Sequence, residues 1–125
     1  MRLLLDTQIY LWFLADSSRL TKAAKLEIQR ADEVFVSAAS IWEASIKSAL
    51  GKLDVDPAGL VEGIQASGFI EMPIRAGHGI MAAALPPHHR DPFDRMLVAQ
   101  ALAEPAHLLT ADSELSQYSD LVRLI

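Results

Sequence analysis

RLLLDT, residues 2–7, joins three leucines directly to an aspartate. An apolar run of this length is too short for a helix core and suits a buried β-strand. Asp6 ends that strand, although a carboxylate is costly to bury unless a cation meets it. The same arrangement returns in LLTAD, residues 108–112, where Asp112 follows the apolar pair. We therefore expect acids at the ends of buried strands.

The composition is typical of a single globular domain spanning 1–125. Of the 125 residues, 51% are hydrophobic, which allows a substantial core and argues against disorder. No cysteine is present, so disulfides and cysteine metal sites are excluded. No apolar stretch approaches the roughly 20 residues of a membrane span, and the N-terminus lacks signal-peptide character. We expect a cytoplasmic protein without a membrane partner.

The net charge of −5 limits the ways in which the protein could bind nucleic acid. A domain that binds nucleic acid by bulk electrostatics needs an excess of Lys and Arg. An enzyme whose acids hold a divalent cation is compatible with this charge, because the ion reverses the local electrostatics. The charge therefore argues against a passive DNA-binding protein and leaves a nucleic-acid enzyme open.

Short apolar runs alternate along the chain with longer patterns of helical spacing. Predicted strands cover 3–5, 34–36, 69–72, 108–109 and 121–125. Predicted helices cover 7–14, 20–31, 38–50, 57–66, 76–85, 92–103 and 113–118. The continuous apolarity of 7–14 leaves extension of the first strand as an alternative. This alternation predicts an α/β domain with a mainly parallel sheet covered on both faces.

Each acid near a strand end has a local structural explanation. Asp6 and Asp112 could be helix N-caps, and Asp91 before Pro92 is typical of an N-cap followed by proline at N1. Asp94 would then occupy N3, where the helix dipole favours a carboxylate. Such effects are each worth roughly 0.3–2 kcal/mol, so no single acid requires a catalytic role.

Glu43 has two local explanations of the same kind. SIWE, residues 40–43, matches a capping box. Lys47 lies four residues further on, at the spacing of a helical ion pair.

The joint placement of these acids is not explained locally. Ligands of α/β sheets bind where strands end and helices begin. Three or four carboxylates at one edge of a sheet would repel each other and could not all stay ionised without a cation. An oxygen-only ligand set without cysteine favours Mg²⁺ or Mn²⁺ over Zn²⁺. The acids therefore predict a divalent metal site.

Four segments together resemble the PIN-domain ribonucleases, and in particular the VapC-type toxins of bacterial type II toxin–antitoxin modules. They are LLLDT (3–7), VSAASIWEASIKSALGKL (36–53), LPPHHRDPFDRMLVAQA (85–101) and LLTAD (108–112). Each motif is weak alone, whereas their ordered set over nearly the whole chain is specific. The resemblance implies a three-layer α/β/α domain whose acids bind Mg²⁺ or Mn²⁺ and hydrolyse RNA.

Carried over residue by residue, the catalytic acids of the family fall on Asp6, Glu43, Asp94 and Asp112, the last at the most variable position. We expect Asp6 and Asp94 to be the metal ligands, while Glu43 and Asp112 act through water or a second metal. Water activated by the carboxylate-bound ion would attack the phosphodiester in line. Asp91 is interpreted as a helix cap alone.

Four further residues are candidates around this site. Thr7 and Thr110 could hydrogen-bond the water ligands of the metal, or serve only as turn and cap hydroxyls. Arg90 and Arg95 could contact RNA or pair with neighbouring acids. The histidines of PPHH, residues 86–89, are less expected to bind metal, because adjacent side chains in an extended loop point apart.

IYLWFLA, residues 9–15, carries more apolar surface than a helix of one small domain normally buries. Tyr10, Trp12 and Phe13 cannot all face one core at helical spacing, so at least one is expected to contact a second chain. The family resemblance implies a homodimer, and an antitoxin whose tail or helix lies over the active site.

Two other functions compete with the nuclease. A catalytically silent PIN-like binding module would use the same acids as caps. A receiver-like Mg²⁺-binding signalling domain would need a paired acid after the first strand, a central phosphoacceptor aspartate and a late lysine, and no lysine follows Lys52. A small upstream reading frame overlapping this one would favour the toxin.

Overall fold

A five-stranded, all-parallel sheet forms the centre of the computed structural model, which describes residues 1–125. The strands are β1 Arg2–Leu5, β2 Glu33–Ser37, β3 Ile70–Met72, β4 His107–Thr110 and β5 Val122–Leu124. The α-helices are α1 Thr7–Leu14, α2 Lys22–Arg30, α3 Ala38–Ala49, α4 Pro57–Ala66, α5 Ala76–Ala84 and α6 Pro92–Ala103. A short 3₁₀-helix covers Ser113–Gln117.

The strand order β3-β2-β1-β4-β5 places the first strand in the middle of the sheet. From β1 the chain builds outward to β2 and β3 on one side, and it then returns to add β4 and β5 on the other. The direction of winding thus reverses between β1 and β4. A crevice opens at the carboxyl ends of the strands at such a switch point, and ligands bind there.

Helices cover both faces of the sheet, so the side chains of β1 alternate between two apolar cores. Leu3 and Leu5 belong to one apolar cluster with residues of α1, α2 and α4. Leu4 belongs to the other cluster, with Leu97 and Val98 of α6. The predicted three-layer α/β/α fold with a parallel sheet is confirmed.

The element boundaries follow from local capping. Residues 7–14 form helix α1, so the alternative of an extended first strand is wrong. Helix α2 begins later than predicted, because Thr21 caps it and accepts a 3.1 Å hydrogen bond from Ala24 N. The last predicted helix is the 3₁₀ turn 113–117.

The aromatic residues of α1 divide between the core and the surface. Tyr10 is buried and donates a 2.6 Å hydrogen bond from its hydroxyl to Leu60 O. Phe13 packs on Phe69 with ring centroids 4.9 Å apart, and both Trp12 and Phe13 stay partly exposed. Contact of these two residues with a second chain stays a prediction. None of the six α-helices has both the length and the apolar character needed to cross a bilayer.

Candidate active site

Asp6 lies at the switch point, held by both neighbouring elements. Its backbone N–H donates to Leu109 O of β4 at 3.0 Å. The side chain caps α1, since Oδ1 accepts from Ile9 N at 2.9 Å. Oδ2 accepts a 2.5 Å hydrogen bond from the Thr110 hydroxyl. One backbone and two side-chain hydrogen bonds thus fix Asp6, which is only 7% exposed.

Glu43 reaches the same place from inside α3. The helix is capped by Ser37, whose Oγ accepts from Ala39 N at 3.0 Å, so the capping box predicted at 40–43 is wrong. Ser40 instead accepts a 2.9 Å hydrogen bond from the hydroxyl of Thr7. Glu43 lies one turn into the helix, and its Oε2 accepts a 2.8 Å hydrogen bond from Lys47 Nζ. Its buried Oε1 has no hydrogen-bond partner.

The N-cap and first turn of helix α6 place two further acids at this site. Asp91 is its N-cap, as predicted, and its Oδ1 accepts from Phe93 N at 2.8 Å and from Asp94 N at 3.4 Å. Pro92 follows at N1, where no backbone donor is needed. Asp94 is therefore at N3 with its carboxylate free of the cap and turned toward the other acids.

These acids meet in one cavity of about 450 Å³ at the carboxyl edge of the sheet. All four predicted catalytic acids line it, together with the cap residue of α6: Asp6, Glu43, Asp91, Asp94 and Asp112. Two lysines, Lys47 and Lys52, line the same cavity. Asp112 also caps the 3₁₀-helix, accepting from Glu114 N at 3.0 Å.

Burial, together with the crowding of the acids, raises the pKa of two of them, Asp94 and Asp6. Burial raises the pKa of Asp94 to about 7, and the charges of Asp91, Glu43 and Asp6 add to the rise while His89 opposes it. Burial also raises the pKa of Asp6, although its hydrogen bond from Thr110 and nearby backbone N–H groups lower it in part. A cation in the cavity would oppose both shifts, because its charge favours the ionised carboxylates.

His89 faces the carboxylates, which the sequence did not predict. Its Nε2 lies 3.3 Å from Asp112 Oδ2, 3.4 Å from Asp94 Oδ2 and 3.6 Å from Glu114 Oε2. Ligand atoms of His89, Asp112 and Glu114 lie within 4.8 Å of one another. Because Nδ1 accepts a 3.1 Å hydrogen bond from Asp91 N, the proton of the neutral ring sits on Nε2. His89 therefore faces the acids as an N–H donor rather than with a free lone pair.

Arg95 holds the loop that carries His89. Its guanidinium donates 2.8–3.2 Å hydrogen bonds to four backbone carbonyls in the segment 82–89. It also donates to the hydroxyl of Tyr118 at 3.3 Å. These contacts occupy the donors with which it would bind RNA. Arg90 is exposed on the same loop. RNA contact by either arginine stays a prediction.

The chemistry of the cavity fits Mg²⁺ or Mn²⁺. Its potential ligands are carboxylate oxygens, which hard divalent ions prefer. Glu43 Oε1 supplies a buried acceptor that nothing in the protein satisfies, and such an atom requires a partner. Asp6 and Asp94 converge on the same space, so the residues present suit a carboxylate-held ion.

The fold is similar to those of several solved structures. One is VapBC2 from Rickettsia felis bound to a DNA fragment from its promoter, with 13% identity over 100% of this chain and 98% of that chain and a TM-score of 0.68. FitAcB from Neisseria gonorrhoeae is 16% identical over 98% and 96% of the two chains, with a TM-score of 0.68. FitAB bound to an IR36 DNA fragment is 17% identical over 89% and 85%, with a TM-score of 0.60.

Sequence comparison gives the family directly. No curated protein matches the chain significantly. The family model for the PIN domain matches residues 3–121, nearly the full length of the chain. This protein therefore belongs to the PIN-domain family.

Proposed function

We propose that this protein is a metal-dependent endoribonuclease and acts as the toxin of a toxin–antitoxin pair. The observation that carries the nuclease proposal is the meeting of Asp6, Glu43 and Asp94 in one cavity, where Glu43 Oε1 is buried without a partner. Helix capping explains the presence of Asp6, Asp91 and Asp112, as expected if the protein were a catalytically silent binding module. It does not explain Glu43 or Asp94, which cap nothing and yet face the other acids.

The residues have separate roles in this reaction. A bound Mg²⁺ or Mn²⁺ would activate water and stabilise charge on the phosphodiester. Asp6 and Asp94 would hold the ion, and the Thr110 and Ile9 hydrogen bonds fix the orientation of Asp6. Glu43 Oε1 is free to accept a hydrogen bond from the attacking water and to orient it toward phosphorus. Asp112, beside His89, would act through water or a second metal ion.

The antitoxin would occupy a second groove that adjoins the acidic cavity. This groove has a volume of about 550 Å³, is lined mainly by apolar residues and includes Trp12. Gln8, Leu11 and Leu53 line both it and the cavity, so a segment lying in the groove would end at the acids. The relatives VapBC2 and FitAB are DNA-bound in their solved structures, which is consistent with a partner that contributes DNA binding.

A homodimer is part of the same proposal. Trp42 and Ile46 of α3 and its C-cap residue Leu50 follow one another at four-residue spacing and are 60%, 38% and 62% exposed. Residues at this spacing lie on one face of a helix. An exposed apolar stripe of this kind is typical of an interaction surface.

Growth on induction tests the proposed function. We expect expression of the chain to arrest bacterial growth, and Glu43→Gln to relieve the arrest because it removes the carboxylate that would orient the attacking water. Co-expression of the product of an overlapping upstream reading frame should also restore growth. Undiminished growth with well-expressed wild-type protein would contradict the toxin assignment.

A further inference from the structure

The end of helix α3 places two lysines side by side on the wall of the acidic cavity. Gly51 has a φ of 71°, in the left-handed region, and its N–H donates to Ser48 O at 3.0 Å. Lys52 N donates to Lys47 O at 2.9 Å. This is a Schellman motif, in which the residue after the glycine folds back over the third residue from the helix end. Those two positions commonly make an apolar contact, whereas here both are lysines.

The two ammonium groups differ in what they bind within the protein. Lys47 pairs with Glu43, and this hydrogen bond is the main cause of the raised pKa of Lys47. Lys52 lines the same cavity and forms no ion pair. The fold therefore gives Lys47 a direct carboxylate partner, whereas the ammonium of the exposed Lys52 has none and can bind a ligand.

The other basic residues do not line this cavity. Of the 11 Lys and Arg residues, only Lys47 and Lys52 line it. Arg2 binds Glu33 and two backbone carbonyls, Arg123 pairs with Glu27, and Arg95 holds its own loop. A polyanionic substrate that enters a cavity of five carboxylates needs cations besides the metal, because every added phosphate is repelled by the acids.

We infer that Lys52, beside Lys47, forms a binding site for a backbone phosphate of the RNA substrate on the α3 side of the cavity. A lysine suits this task, since its ammonium is a point charge on a flexible stem and binds phosphate without a fixed geometry. Contacts to phosphate position a nucleic acid without reading its sequence. The site thus holds the chain in register while the acids act on a neighbouring phosphodiester. The inference rests on the proposed nuclease function.

Steady-state cleavage of one defined RNA by Lys52→Gln tests this inference. We expect KM to rise about tenfold at low salt, because one charge-assisted contact is lost, with kcat changed by less than about twofold. The dependence of log(kcat/KM) on log salt should become shallower by about 0.7. Lys52→Arg should restore KM. The affinity for Mn²⁺ should not fall, since removing a cation from the cavity cannot weaken metal binding.

Lys22→Gln is the matched control, because Lys22 is an exposed lysine on α2 outside the cavity. A KM for Lys52→Gln equal to that of the control would overturn the inference while leaving the nuclease intact. A fall in kcat at unchanged KM would also overturn it, because the residue would then act on chemistry rather than on binding. If the wild-type protein shows no metal-dependent cleavage, the proposed function fails and this inference fails with it.

Discussion

Thr110 donates a 2.5 Å hydrogen bond from its hydroxyl to Asp6 Oδ2, which connects the ends of the adjacent strands β4 and β1. The same hydroxyl oxygen accepts a 3.0 Å hydrogen bond from Asp112 N. One buried threonine thus links the first and last acids of the site. The bond also favours the ionised form of Asp6 and offsets part of the effect of burial on its pKa.

Thr110→Val should weaken metal binding. Loss of the hydroxyl raises the pKa of Asp6 further and frees its carboxylate to rotate, so we expect Mn²⁺ affinity to fall by about tenfold. Thr110→Ser keeps the donor and should bind Mn²⁺ like the parent. Calorimetric titration measures both. Equal affinity in the valine variant would show that Thr110 serves the fold alone.

Asp6→Asn should separate catalysis from folding. RNase activity should fall by about 100-fold or more, because a metal ligand is lost. In chelator, the variant should melt at or above the temperature of the parent, since the amide removes repulsion and its oxygen can still accept from Ile9 N. Asp6→Ala should lose about 1 kcal/mol as the helix cap disappears. Destabilisation of Asp6→Asn with intact activity would make Asp6 a cap only.

The metal-free protein should lose stability as the pH rises from about 4 to about 7. Asp94 has an ordinary pKa of 3.8 that is raised to about 7 in the folded state. The folded state therefore binds this proton more tightly than the unfolded chain, and its contribution disappears as the pH rises through the folded pKa. The raised pKa of Asp6 acts in the same direction.

Thermal melts in chelator across this pH range check the slope, and Asp94→Asn should flatten it. Saturating Mn²⁺ should restore the stability that is lost near neutral pH. An identical pH dependence in the parent and in Asp94→Asn would contradict this assignment.

Lys47→Met should increase the dependence of the fold on metal. The substitution leaves Glu43 buried without its cation, which should cost about 1–3 kcal/mol in chelator. A bound ion would replace the lost charge. The rise in melting temperature on adding Mn²⁺ should therefore be larger than in the parent. A smaller rise would show that Lys47 assists metal binding rather than compensating for its absence.

The layers of the fold were predictable because the relevant signals are local. Short apolar runs alternate with helical patterns, and this alternation alone predicts a parallel sheet with both faces covered. Asp91 before Pro92 likewise predicts the N-cap of α6, and the structure confirms it. The predicted start of α3 at residue 38 is correct, but the capping box at 40–43 was wrong, because Ser37 follows β2 directly and caps the helix. A local motif does not show which of two nearby serines is the cap.

The composition of the site was only partly predictable. The acids follow strands or lie in the first turns of helices, so their meeting at one edge of the sheet could be expected. His89 reaches Asp94 and Asp112 through tertiary packing, because Arg95 holds its loop, whereas the local cap at Gly51 turns Lys52 back over α3. For Lys52 the signal was present, because a glycine cap between two lysines predicts that they lie together. For His89 no local signal exists.

Cleavage of a defined RNA by the purified protein tests the central claim most directly. We predict cleavage with Mg²⁺ or Mn²⁺ and none in chelator. In Asp94→Asn the rate should fall by about 100-fold or more. Asp120→Asn should keep full activity, because its exposed carboxylate precedes β5 at the opposite edge of the sheet. Cleavage that persists in chelator, or that Asp94→Asn leaves unchanged, would contradict the assignment of these carboxylates as a metal-dependent nuclease centre.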